Sequence, residues 1–149
     1  MKRFKFQLET LLKVTRMKKE DAEVRFAEIS RKLEDERKVL AKLLHEMQQA
    51  QQDYEEISRE GRKISIGRLM AFNSFFAWKR EQIENQQKVI LEIKQEKQQR
   101  LKELMEVMSY LKSIEQLKEK RWKEYQAEAL FEEQKMLDEI GLQLYMRQA

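Results

Sequence analysis

The sequence predicts an all-α chain, a long antiparallel two-helix coiled-coil hairpin forming one domain over residues 1–149, and three observations carry that expectation. The chain contains no proline and only three glycines, Gly61, Gly67 and Gly141, too few turn residues to punctuate a sandwich, a barrel or a doubly wound sheet. Its apolar residues recur at steps of three and four over long stretches, the period of one buried helical stripe. Charged residues make up 39% of the chain beside 41% hydrophobic ones, which suits wet helix faces around an apolar seam and is too rich in apolar groups for disorder.

The first helix is expected from about Phe4 to Glu60. Ala22, Phe26, Ile29, Leu33, Leu40, Leu43, Met47, Ala50, Tyr54 and Ile57 keep the a/d spacing of a coiled coil, and Leu8, Leu12 and Thr15 continue the seam less cleanly upstream. Glu36 is the one break in the series. The repeat stops at residues 61–67, where Gly61 and Gly67 fall close together. A glycine can end a helix in the left-handed conformation that other residues resist, so the turn is placed there, with Ser65 as a cap for the second helix.

That second helix is expected over about 68–146, with Leu69, Phe72, Phe76, Ile83, Ile90, Ile93, Leu104, Val107, Leu111 and Ile114 on its inner face. Beyond Leu117 the stripe changes phase and runs through Trp122, Tyr125, Ala129, Met136, Ile140 and Leu144, a stutter or an unpaired tail. A fold-back near Ile64 sets residue i opposite roughly residue 128 − i, because both helices rise by ~1.5 Å per residue. Tyr54 then meets Phe72, Phe75 and Phe76, Leu40 falls near Val89 and Ile90, and Phe26 near Leu101 and Leu104. Glu36 falls near Lys94 and Lys97, either of which would neutralise it.

Several function classes drop out on residue types. The chain has no cysteine, and His45 is its sole histidine, so thiolate chemistry, disulfides and Cys/His zinc sites are excluded. His45 lies two places after the seam residue Leu43, on the expected outer face, and Glu55-Glu56 and Glu132-Glu133 read as solvated surface. No phosphate-binding glycine loop and no nucleophile elbow is present, and a two-helix packing has no interior to enclose a substrate. The expectation is therefore a protein without catalytic, metal or cofactor sites. The basic opening is interrupted by Gln7, Glu9 and Thr10, so it does not read as a signal peptide, and no run approaches the ~18 apolar residues of a membrane span. A net charge of +4 spread over alternating signs does not by itself imply nucleic acid.

The aromatic residues are more informative. Phe4 and Phe6 stand at the start, Phe72, Phe75, Phe76 and Trp78 come after the turn, and Trp122, Tyr125, Phe131 and Tyr145 lie towards the end. Phe72 and Phe76 can share the seam face, but Phe75 and Trp78 cannot join them, so one pair looks outward, and the cluster either packs the hairpin tip or offers a docking surface. Charge is also uneven. Basic residues lead in the first twenty-five positions, including Arg3, Lys5, Lys13 and Arg16, whereas Glu124, Glu128, Glu132, Glu133, Asp138 and Glu139 dominate the last stretch.

Phe4-x-Phe6-x-Leu8-x-x-Leu11-Leu12-x-x-x-x-Arg16, the aromatic stretch after a glycine-containing turn, and Leu117-Lys118-Glu119-Lys120-Arg121-Trp122-x-x-Tyr125 with Glu133-Gln134-Lys135-x-x-Asp138-Glu139 resemble the FliJ family of the bacterial flagellar type III export apparatus. The resemblance spans nearly the whole chain. It implies a non-enzymatic hairpin similar to the central stalk of rotary ATPases, inserted by the end bearing both termini into the hexameric ring of the export ATPase FliI. It also implies contact with the cytoplasmic domain of the export gate membrane protein FlhA and escort of export chaperones. With the charge asymmetry, it points to Arg3, Lys5, Lys13, Arg16, Trp122 and Tyr125 for the ATPase ring, and by motif position to Tyr54 and Phe75 for the gate. Phe76 and Trp78 stand where relatives can be less aromatic. The implied location is cytoplasmic, peripheral to the membrane at the flagellar basal body, with no direct membrane insertion. Outside this family, the composition also suits a structural homodimeric coiled coil or a basic helical nucleic-acid-binding protein.

Overall fold

The computed structural model describes residues 3–59 and 64–148. Two long helices pack against each other in an all-α hairpin: α1, Glu9–Arg59, of 51 residues and α2, Ile66–Gln148, of 83 residues. No strand occurs among the described residues. Gly61, expected to end α1, lies outside the described residues with its neighbours Glu60, Arg62 and Lys63. Ser65 starts α2: its side-chain oxygen accepts from the Arg68 N–H at 3.2 Å, which satisfies an otherwise orphaned helix-terminal donor, and its carbonyl accepts the first helical bond, from the Leu69 N–H at 3.0 Å. Gly67, expected in the turn, is already helical.

The start of α1 differs from expectation. Residues 3–6 are not helical, and the first helical residue is Glu9 instead of Phe4. The Glu9 N–H donates to the Phe6 carbonyl at 3.1 Å and the Leu12 N–H to the Leu8 carbonyl at 2.9 Å, which closes the turn into the helix. Phe4 and Phe6 are spaced by two, the period of an extended segment, and each has an apolar place to go: Phe6 is buried and Phe4 packs on aromatic rings. A helix from Phe4 would turn them about 200° apart, at 100° per residue.

The chain divides into two compact units, described separately: a terminal unit of Met1–Ala22 with Leu104–Ala149, and a hairpin unit of Glu23–Glu103. In the terminal unit Phe6, Leu12, Leu111 and Ile114 form the buried core, with Phe4, Leu8, Leu11 and Leu117 packed against it. Thr15 is buried on the same face and donates its hydroxyl to the Leu11 carbonyl at 2.7 Å, the way a hydroxyl enters an apolar seam without an unmet bond. Lys118 pairs with Glu9 at 2.9 Å and Arg16 with Glu115 at 3.7 Å. From Phe131 to Gln148 every residue is exposed.

In the hairpin unit the core is Ile29, Leu33, Ile90 and Ile93, with Phe26 and Leu40 against it. Two side-chain meetings expected from the sequence are corrected. Glu36 accepts from the Gln86 amide, at 2.5 Å through its carboxylate and 2.9 Å through its carbonyl, and not from Lys94 or Lys97. Phe26, expected near Leu101 and Leu104, packs on the core of Ile29, Leu33, Ile90 and Ile93 and lies under the Lys97 ammonium at 5.7 Å. Glu36 thus meets a lower α2 number than expected, whereas Tyr54 meets Phe72 and Phe76 as expected.

Candidate partner-binding surfaces

At the terminal unit the non-helical segment lays Phe4 against α2. Its ring meets Trp122 edge-on at 5.1 Å and Tyr125 at 5.5 Å, while Trp122 and Tyr125 stack at 5.7 Å. Aromatic residues three apart on a helix share a face, so Trp122 and Tyr125 offer one platform that Phe4 completes. Beside it runs an open groove lined by Arg3, Phe4, Lys5, Tyr125, Glu128, Ala129 and Glu132. Its walls have opposite signs, with exposed Arg3 and Lys5 on the N-terminal segment facing Glu128 and Glu132 on α2.

Of the residues expected at an ATPase contact, the fold gathers Arg3, Lys5, Trp122 and Tyr125 around this groove and platform. Lys13 is exposed on α1 outside the groove lining, and Arg16 is engaged with Glu115. Glu128 and Glu132 were not singled out from the sequence as groove walls. Their spacing of four on one helix face beside Tyr125 is the signal that finds them.

The hairpin unit carries a second surface. Tyr54 turns into the seam, edge-on to Phe72 at 5.5 Å and Phe76 at 6.3 Å. Phe75 is half-buried, touches Phe76 and Trp78 at 6.3 Å and 6.2 Å, and lines an open groove with Ala50, Asp53, Arg68, Ala71 and Phe72. Trp78 is exposed. The two residues expected at a gate contact therefore differ: Phe75 fronts the groove, and Tyr54 is an internal support behind Phe72.

Beneath Phe75 and Trp78 lies a buried charge that hydrophobic periodicity does not reveal. Lys79 is only 4% exposed; its ammonium bonds to the Glu46 carboxylate and sits 5.6 Å from the Phe75 ring centre and 4.9 Å from that of Trp78. A cation taken from water needs such compensation by a carboxylate and ring faces. The position was legible: Phe72, Phe76, Lys79 and Ile83 advance by four, three and four, so Lys79 occupies a seam position.

The Lys79 hydrogen bond holds the Glu46 carboxyl below the ordinary glutamate range, against burial acting the other way. In the terminal unit the Lys118 hydrogen bond does the same for Glu9. A lowered folded-state value means that the stabilisation is complete above the unfolded glutamate's titration and is lost as pH falls through the folded one. The melting temperature should therefore decline on acidification below the ordinary glutamate range, and Glu46→Gln should make that decline shallower. Equal acid slopes for both proteins, measured by circular dichroism, would remove Glu46 from the account.

His45 is exposed. Among the described residues no group of three or more acidic or histidine side chains is placed to hold a metal ion, and no helix is long and apolar enough to cross a membrane. No curated protein matches the chain, and neither does any solved structure. Residues 4–149 match the family model described as Flagellar FliJ protein. That match takes in the Phe4 platform, the aromatic groove and the helices that carry them, and the chain belongs to the FliJ family, components of the flagellar protein export apparatus.

Proposed function

We propose that the chain is a non-enzymatic coupling element of flagellar export, one domain in function, which binds the hexameric export ATPase through its terminal unit and the cytoplasmic domain of the export gate through the groove fronted by Phe75. It escorts export chaperones and works in the cytoplasm, at the membrane-bound basal body. The supporting observation is the terminal groove, where Arg3 and Lys5 stand exposed beside the Phe4–Trp122–Tyr125 platform. Exposed cations steer an approaching acidic surface, and aromatic side chains supply rigid contact area.

No bond is made or broken by this chain in that reading. A helix pair held in the centre of a ring touches successive subunits unequally, and any influence on assembly or ATP hydrolysis equals its difference in affinity for their states. The seam residues Leu12, Ile29 and Leu33 are buried within the chain, which disfavours a homodimer built on the same seam. Basic runs broken by acids likewise disfavour nucleic acid.

Reversing Arg3, Lys5 and Lys13 to Glu should weaken binding to the ATPase by about tenfold or more and flatten its salt dependence, as expected for rim charges that act through screened attraction. Arg16 is left in place because Glu115 engages it. Unchanged affinity with unchanged helicity would move the contact elsewhere.

A further inference from the structure

The end of α2 is a continuous helix with no cover among the described residues. Leu130, Met136, Leu137, Ile140 and Leu144 are each 50–67% exposed. At about 100° of turn per residue they fall within one arc of about 120°. An apolar stripe of this width on a helix is the mark of a face that packs on something. Glu133 lies in the middle of the stripe and Arg147 along one edge beside Ile140. The other acids of the segment, Glu132, Asp138 and Glu139, and its other cation, Lys135, project from different sides.

We infer that this stripe pairs antiparallel with the same stripe of a second copy of the chain, centred on Ile140. Glu133 and Arg147 are equally far from Ile140, one on each side. Antiparallel pairing about that residue therefore brings Glu133 of each copy to Arg147 of the other, twice over. Parallel pairing instead stacks Glu133 on Glu133 and Arg147 on Arg147 within an apolar contact, where like charges repel most. Neither residue has an ion pair inside its own chain among the described residues, so both are available. Ile140 of each copy then meets its counterpart in the middle of the contact, and Leu144 of one copy falls beside Met136 and Leu137 of the other.

The inference is independent of ATPase or gate binding and is tested on the full chain alone. Sedimentation equilibrium at physiological salt should show a monomer–dimer equilibrium with a dissociation constant of about 1–100 μM, the weak range of a small interface. Glu133→Arg and Arg147→Glu should each raise that constant by about tenfold or more, and the double variant should return it to near the original value. Leu142→Ser, on the opposite side of the helix, should leave it unchanged, while Ile140→Asp should abolish the dimer; circular dichroism on each variant checks that helix content is kept. A chain that remains monomeric at roughly tenfold above that range overturns the inference. So does a dimer indifferent to the single charge reversals, or one that the double variant fails to restore.

Discussion

Leu12→Ala should destabilise the chain by about 2–5 kcal/mol, the range for emptying a large aliphatic site in a core that cannot collapse around it. Leu12 is fully buried and touches the core from both directions: Phe6 on the non-helical segment, and Leu111 and Ile114 on α2. The loss should not stay local. Phe6 anchors the segment that carries Phe4 to Trp122 and Tyr125, so the aromatic platform should loosen with the cavity. Thermal unfolding followed by circular dichroism measures the first effect, and Trp122 fluorescence, read against a Trp78→Phe background, measures the second. A Leu12→Ala protein with an unchanged melting temperature would mean that the terminal unit is held by its ion pairs and not by this core.

Phe76→Ala and Phe75→Ala should part company. Phe76 joins Tyr54, Phe72 and Phe75 in one ring cluster, and its removal should cost about 2–3 kcal/mol, somewhat below a fully buried phenylalanine because it is only half-buried. Phe75 fronts the groove and contacts Phe76 and Trp78 at its edge. Its truncation should cost about 1 kcal/mol of stability, yet reduce binding of the export gate's cytoplasmic domain and motility much more than Phe76→Ala does per folded molecule. Denaturant melts beside a gate pull-down decide it. Should Phe75→Ala unfold the hairpin unit while folded protein still binds the gate normally, Phe75 is core and the gate contact lies on another face.

The helical class and the seam were legible because proline and glycine scarcity and steps of three and four are properties of every stretch of the chain. The polar seam positions were harder. Lys79, Gln86 and Lys97 keep to the α2 stripe as regularly as Ile83, Ile90 and Ile93, but hydrophobicity alone skips them, and Glu36 was matched to the wrong polar partner as a result. Opposite charge suggested a lysine, whereas the fold provides Glu36 with an amide that donates to both its carboxylate and its carbonyl. The opening segment was misread for another reason: Phe4, Phe6 and Leu8 alternate with polar residues, an extended period too short to stand out against the helix behind it. Of the candidate sites, the residue types were visible in sequence, but the acidic wall of the terminal groove needed the N-terminal segment in place.

The distribution of partners along the sequence also sets an order of events during synthesis. Tyr54 finds Phe72 a few turns after it is made, so the hairpin unit closes from contacts near in sequence. Phe4, Phe6 and Leu12 are made long before their partners Trp122, Leu111 and Ile114. Loop closure over that separation is slow compared with local contact. Phe4, Phe6 and Leu12 therefore stay without these partners until that part of α2 is made, and the groove beside Arg3 and Lys5 does not exist before Tyr125, Glu128 and Glu132 are in place. A nascent chain that stops short of Tyr125 displays the hairpin unit's surface without the terminal one, so the completed terminal groove marks a chain in which α2 has been made past Glu132.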